Sequence, residues 1–136
     1  MAIRLRYTIE SAISSDSNEA KDLGNVRFQL LTDVPSEGGT TKTTLAASAT
    51  DVAIPFPNIT NATYLLIRTT AKDPTQALPV VKIRLNSNVG EQISIAPIST
   101  GKEGHFLISS SGISALYATN MSSSVVVDLH VALAGD

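Results

Sequence analysis

The chain has no cysteine and no tryptophan among its 136 residues, and only 4% of them are aromatic. Without thiols there is no disulfide framework, no thiolate nucleophile and no cysteine-based zinc site. Charge is scarce too: 16% of residues are Asp, Glu, Lys or Arg, against roughly 25% in ordinary soluble domains. Ten basic and twelve acidic residues give a net charge of -2. The basic ones, including Arg4, Arg6, Lys42, Lys72, Lys82, Arg84 and Lys102, come in ones and twos. That scatter excludes the clustered basic groove a nucleic acid requires. No apolar run approaches the ~20 residues of a membrane helix, so no membrane partner is expected. The opening MAIRLRYTIE alternates charge with apolarity and lacks the hydrophobic stretch of a secretory signal. Helical periodicity is nearly missing as well.

What is present is alternation. Apolar residues make up 43% of the chain, and the mean hydropathy is positive, which favours a large core or a covered surface. Ile3, Leu5, Tyr7 and Ile9 fall on one parity, as do Val26, Phe28 and Leu30. Val52, Ile54 and Phe56 repeat the pattern, but Pro55 and Pro57 remove ladder donors and assign this strand to a sheet edge. Tyr64–Thr70 is apolar on both parities, as for a strand between two layers. Val81, Ile83 and Leu85 face inward against Lys82 and Arg84, and Ile93 and Ile95 follow. Phe106 and Ile108 come next, then Ile113, Ala115 and Tyr117 after Gly112, then the terminal SVVVDLHVALAGD.

This spacing predicts one all-β domain over 1–136: an antiparallel β-sandwich, jelly-roll-like, of about eight or nine strands. The Ser-, Asp- and Asn-rich residues 11–25 read as a loop, with one helical turn through Asn18–Asp22. Residues 1–25 and 34–44 read as extended arms, the second opened by Val34-Pro35-Ser36-Glu37-Gly38-Gly39.

Candidate sites are few. In the terminal strand, Asp128 and His130 share a face opposite Val127, Leu129 and Val131, ~6–7 Å apart. A metal needs three or four ligands, and the only other histidine is His105. No nucleophile elbow accompanies the pair, so the strand reads as structural: Val127, Leu129 and Val131 core, Asp128 and His130 outside it. Thr100-Gly101-Lys102-Glu103 ends like a phosphate loop, but Ala96 stands where that motif needs glycine and Glu103 where it needs Ser or Thr. Asn58, Asn61 and Asn120 begin Asn-x-Ser/Thr triplets, unsurprising in a chain rich in Ser and Thr. Tyr7, Tyr64 and Tyr117 sit at strand positions suited to core or interface packing. The expected inventory is no catalytic, cofactor or metal residues, and no enzyme activity.

From Thr44 to Asp136 the order of phrases TLAASATDVAIPFPNITNATYLLIRT, VVKIRLN, IAPI, GKEGHFLI and GISALYATNMSSSVVVDLHVALAGD resembles small structural proteins of tailed bacteriophages. The resemblance implies a non-enzymatic β-sandwich subunit that decorates or cements the capsid, binding between major capsid protein subunits as a homotrimer. It further implies location on the virion surface after synthesis in the host cytoplasm. The alternative it leaves open is a tail- or fibre-associated module that binds host-surface glycan or another tail protein.

Overall fold

The structure, a computed structural model, describes residues 3–14, 22–34, 37–56, 58–97 and 102–135. They form ten strands and no helix: β1 (Ile3–Ser14), β2 (Asp22–Val34), β3 (Glu37–Leu45), β4 (Val52–Ile54), β5 (Ala62–Ala71), β6 (Val81–Leu85), β7 (Ile93–Ile95), β8 (Glu103–Ile113), β9 (Leu116–Asn120) and β10 (Val127–Gly135). The chain clusters into two compact units, Met1–Ser36 and Glu37–Asp136. The first holds an antiparallel β1–β2 hairpin in which Tyr7 pairs with Leu30 and Ile9 with Phe28, with an irregularity at Ile13/Ser14. Residues 11–14 and 22–25, expected to be loop, are therefore strand. Of the expected helical turn, Asp22 begins β2 and the rest lies outside the described residues.

The second unit is the sandwich. Its two four-stranded sheets run β3-β10-β5-β8 and β4-β9-β6-β7, with every neighbouring pair antiparallel. Numbered 1 to 8 from β3, the orders are 1-8-3-6 and 2-7-4-5, so six of the seven connections cross between sheets. Only β6 and β7 form a hairpin within one sheet. The short β4 lies at an edge, as Pro55 directly after it requires.

One core fills the space between the sheets. Leu45, Leu65, Ile67, Val127, Leu129 and Val131 come from one sheet, and Ile54, Val81, Ile83, Ile95, Leu116 and Ala118 from the other. Inward alternation on β10 and β6 is as the sequence indicates. On β5, Leu65, Ile67 and Thr69 are buried, while Leu66 is 38% exposed, so only one of its faces is covered by the sandwich. Two further expectations need correction. Residues 37–44 are not an arm but most of β3, paired along their length with β10. The expected strand through Ile113, Ala115 and Tyr117 is cut: Ile113 ends β8, and β9 begins at Leu116 on the other parity. Asn86 makes the cut. Its φ is +65°, its side-chain oxygen accepts from the Ser114 and Ala115 amides, and its amide nitrogen donates to the Gly112 carbonyl.

Beside the irregularity that pairs Gly135 with Ala62, the two strands approach too closely for a side chain. A Cβ on Gly135 would meet the Asn61 carbonyl oxygen and lie 2.8 Å from the Ala62 Cα, both backbone atoms with no rotamer to yield. Gly135→Ala is expected to lower stability by about 1–3 kcal/mol, the range of overpacking in a closed site, measured by chemical denaturation.

Candidate functional site

The outer face of the β3-β10-β5-β8 sheet gathers charged, histidine and hydroxyl side chains, because register aligns its outward residues in rows. Thr44, Asp128, Thr70 and Glu103 stand side by side across the four strands. One step along, two residues further on each strand, lie Lys42, His130, Arg68 and His105, and after them Thr40, Ala132, Leu66 and Leu107. An acidic and hydroxyl row thus borders a cationic row, which borders a mainly apolar one.

Asp128 is 8% exposed and well satisfied. The Thr44 hydroxyl donates to Oδ1 at 2.8 Å, and Lys42 Nζ lies 3.3 Å from Oδ2. Burial alone raises its pKa, but Thr44, Lys42 and the field of His130 outweigh burial and hold it below 3.8. His130 is held below 6.5, first by burial and then by repulsion from Arg68 and Lys42, against the pull of Asp128 and Glu103. Toward the β8 edge, Glu103 lies 3.0 Å from His105 Nε2 and 3.8 Å from Arg68. The small side chain of Ala132 leaves a shallow depression of about 580 Å³ bordered by Thr40, Lys42, Leu66, Arg68 and His130.

Asp128 and His130 share this face as expected, with Val127, Leu129 and Val131 in the core behind them. His105 stands beside Arg68 on β8, so β5 separates it from His130 on β10. Among the described residues no three His, Cys, Asp or Glu side chains gather as a metal site. Of the phosphate-loop look-alike, Thr100 and Gly101 lie outside the described residues, Lys102 donates to the Pro74 carbonyl at 2.8 Å, and Glu103 opens β8. Asn120 is buried with its side-chain nitrogen on three carbonyls, which leaves no room for a glycan, whereas Asn58 and Asn61 are exposed. Tyr64 and Tyr117 are half-buried and outside the core, and the side chain of Tyr7 lies outside the described residues.

Sequence reasoning did not assemble Lys42, Thr44, Arg68 and Glu103 around Asp128 and His130. Thr44 and Asp128 are 84 positions apart, and only the insertion of β10 between β3 and β5 brings these residues together. The one local signal is that Arg68 is the single charged residue of the otherwise uncharged β5.

His130→Ala is expected to change stability by less than about 1 kcal/mol at pH 7.5, because its partly exposed ring makes no hydrogen bond among the described residues that its removal would orphan. Its effect lies in pH. A histidine whose folded pKa is depressed contributes stability present above 6.5 and lost as pH falls through the folded value. The depressed Asp128 adds a second loss below 3.8. Urea midpoints against pH should therefore fall in two stages, with His130→Ala removing the upper and Asp128→Asn reducing the lower, which Asp73, also held below 3.8 by Thr75, shares. A His130→Ala curve superimposed on the wild type would show that the imidazole does not sense Lys42 and Arg68.

No family model, curated protein or solved structure matches this chain. The class that fold and face define is an antiparallel β-sandwich with a charged, laterally ordered outer sheet.

Proposed function

We propose that this protein is a non-enzymatic virion structural protein, a decoration or cement subunit that stabilises a phage head by binding between major capsid protein subunits. The observation that carries the reading is the strand order 1-8-3-6 and 2-7-4-5, the double Greek key that we read as a jelly roll, an architecture that viral capsid proteins use. Because fold does not dictate function, the reading also leans on the phage-like phrases from Thr44 to Asp136. A homotrimer is the form we propose, since shells present threefold sites. Among the described residues β3 pairs only with β10, so its other edge is suited to adding a neighbour's strand.

The test is negative-stain imaging of particles from the source, labelled with antibody to this chain. Label distributed over the whole shell is the expected result. Label confined to the tail or one vertex would replace the reading with a tail- or fibre-associated module, and particles without label would end it. Sedimentation equilibrium of the isolated chain should give a mass of three times 14.3 kDa; a monomer at tens of micromolar would remove the trimer and leave shell binding standing.

A further inference from the structure

We propose that the depression over Ala132 binds a small organic acid, its carboxylate held in the Lys42–His130–Arg68 row and its apolar part lying over Ala132 and against Leu66. The geometry points there because two different chemistries meet across one step of the sheet. Successive outward rows are two residues apart, ~6.7 Å, about the length of a carboxylate with a short hydrocarbon tail. Lys42 and Arg68 stand on the two strands flanking β10, with His130 between them as the third donor. Leu66 offers a large apolar side chain that is 38% exposed beside the small Ala132.

Charge selects the kind of anion. Lys42 and Arg68 are already opposed by Asp128 at 3.3 Å and Glu103 at 3.8 Å, so the row has little net positive charge. Their side chains are 58% and 48% exposed, and ion pairs that open to water are weak enough to be redirected. A monoanion is accommodated on those terms. A dianion such as phosphate meets two carboxylates in the adjoining row and is disfavoured. With few buried contacts on an open face, affinity is expected in the millimolar range.

Protonation is linked to binding. The groups around His130 are Lys42 on β3, Arg68 on β5, Asp128 on its own strand, and Glu103 and His105 on β8. Burial first, and then the cations on two sides, disfavour the imidazolium, and a bound carboxylate offsets the cations. Binding therefore favours proton uptake, and by reciprocity protonation tightens binding. Asp128, held below 3.8, stays ionised throughout that range.

The experiment is an amide-resolved NMR titration of the full chain with sodium hexanoate, and in parallel with hexanamide and sodium phosphate, at pH 7.5 and 5.5. Saturable shifts at Lys42, Leu66, Arg68, His130 and Ala132 are expected, several-fold tighter at pH 5.5, with the amide and phosphate at least about tenfold weaker. Arg68→Gln should weaken hexanoate by about tenfold, and Ala132→Leu should fill the floor and remove binding. If Ala132→Leu fails to fold, Arg68→Gln decides, because its side chain is exposed. Equal binding of hexanamide, tighter binding of phosphate, shifts centred elsewhere, a pH-independent affinity, or no saturation by tens of millimolar would each overturn the proposal. The isolated chain is used, so the outcome stands apart from decoration of a shell.

Discussion

Val127→Asp is expected to abolish folding of the sandwich. Val127 is 0% exposed and belongs to the single core between the sheets, and its strand neighbours on either side are Leu45 and Ala71. An aspartate there has no cation within the core to pair with. A buried, unpartnered carboxylate costs several kcal/mol even when it escapes by protonating, a large share of the ~5–15 kcal/mol that holds a domain together. Val127→Ala separates charge from volume, because it removes two methyl groups and is expected to cost only about 2 kcal/mol. The check is solubility and circular dichroism of both variants, followed by urea denaturation where a transition exists. A Val127→Asp chain that unfolds cooperatively within 1 kcal/mol of wild type would mean that β10 does not pack as described.

The second large effect is at Asn120, which is 2% exposed. Its side-chain nitrogen donates to the carbonyls of Val125 at 2.8 Å, Ala46 at 3.1 Å and Leu45 at 3.4 Å, and its oxygen accepts from the Ser122 amide at 3.0 Å. One amide therefore joins the turn after β3 to the loop before β10. Asn120→Ala leaves those backbone groups without their partner and is expected to cost about 3 kcal/mol. Asn120→Asp should cost more at pH 7, since it sets a carboxylate against three carbonyl oxygens, and should recover part of the loss as acid protonates it. Denaturation midpoints of the two variants at pH 7 and pH 4 distinguish a lost hydrogen bond from a repulsive one. An Asn120→Ala protein as stable as wild type would show that water replaces the amide.

Much of this architecture was legible wherever apolar side chains alternate. β6 and β10 could be read inward and outward residue by residue, and Pro55 marked the edge position of β4. β3 was not legible, because its inward positions between Glu37 and Leu45 are Gly39, Thr41 and Thr43. A threonine methyl packs beneath an edge strand nearly as a valine would, yet counts as polar in any hydropathy pattern. The break at Ser114–Ala115 was hidden for another reason: it is imposed by Asn86, 28 positions away. The candidate face was half legible. Asp128 and His130 announced a shared side of one strand, but their neighbours follow from strand order, which local pattern does not encode.

The position of β10 has a consequence for how the protein is made. It is the last of the described strands in chain order, yet it sits between β3 and β5 and supplies Val127, Leu129 and Val131 to the core. During synthesis, β3 and β5 emerge with the strand that joins them still missing. Pairing of Thr44 with Asp128 closes a loop of more than 80 residues, the kind of distant contact that slows folding. Until β10 arrives, unpaired strand edges and the apolar residues that β10 packs against stay exposed, the condition in which nascent β proteins associate with one another. Yield in an expression host should therefore depend on chaperone supply and temperature more than the stability of the finished sandwich would suggest.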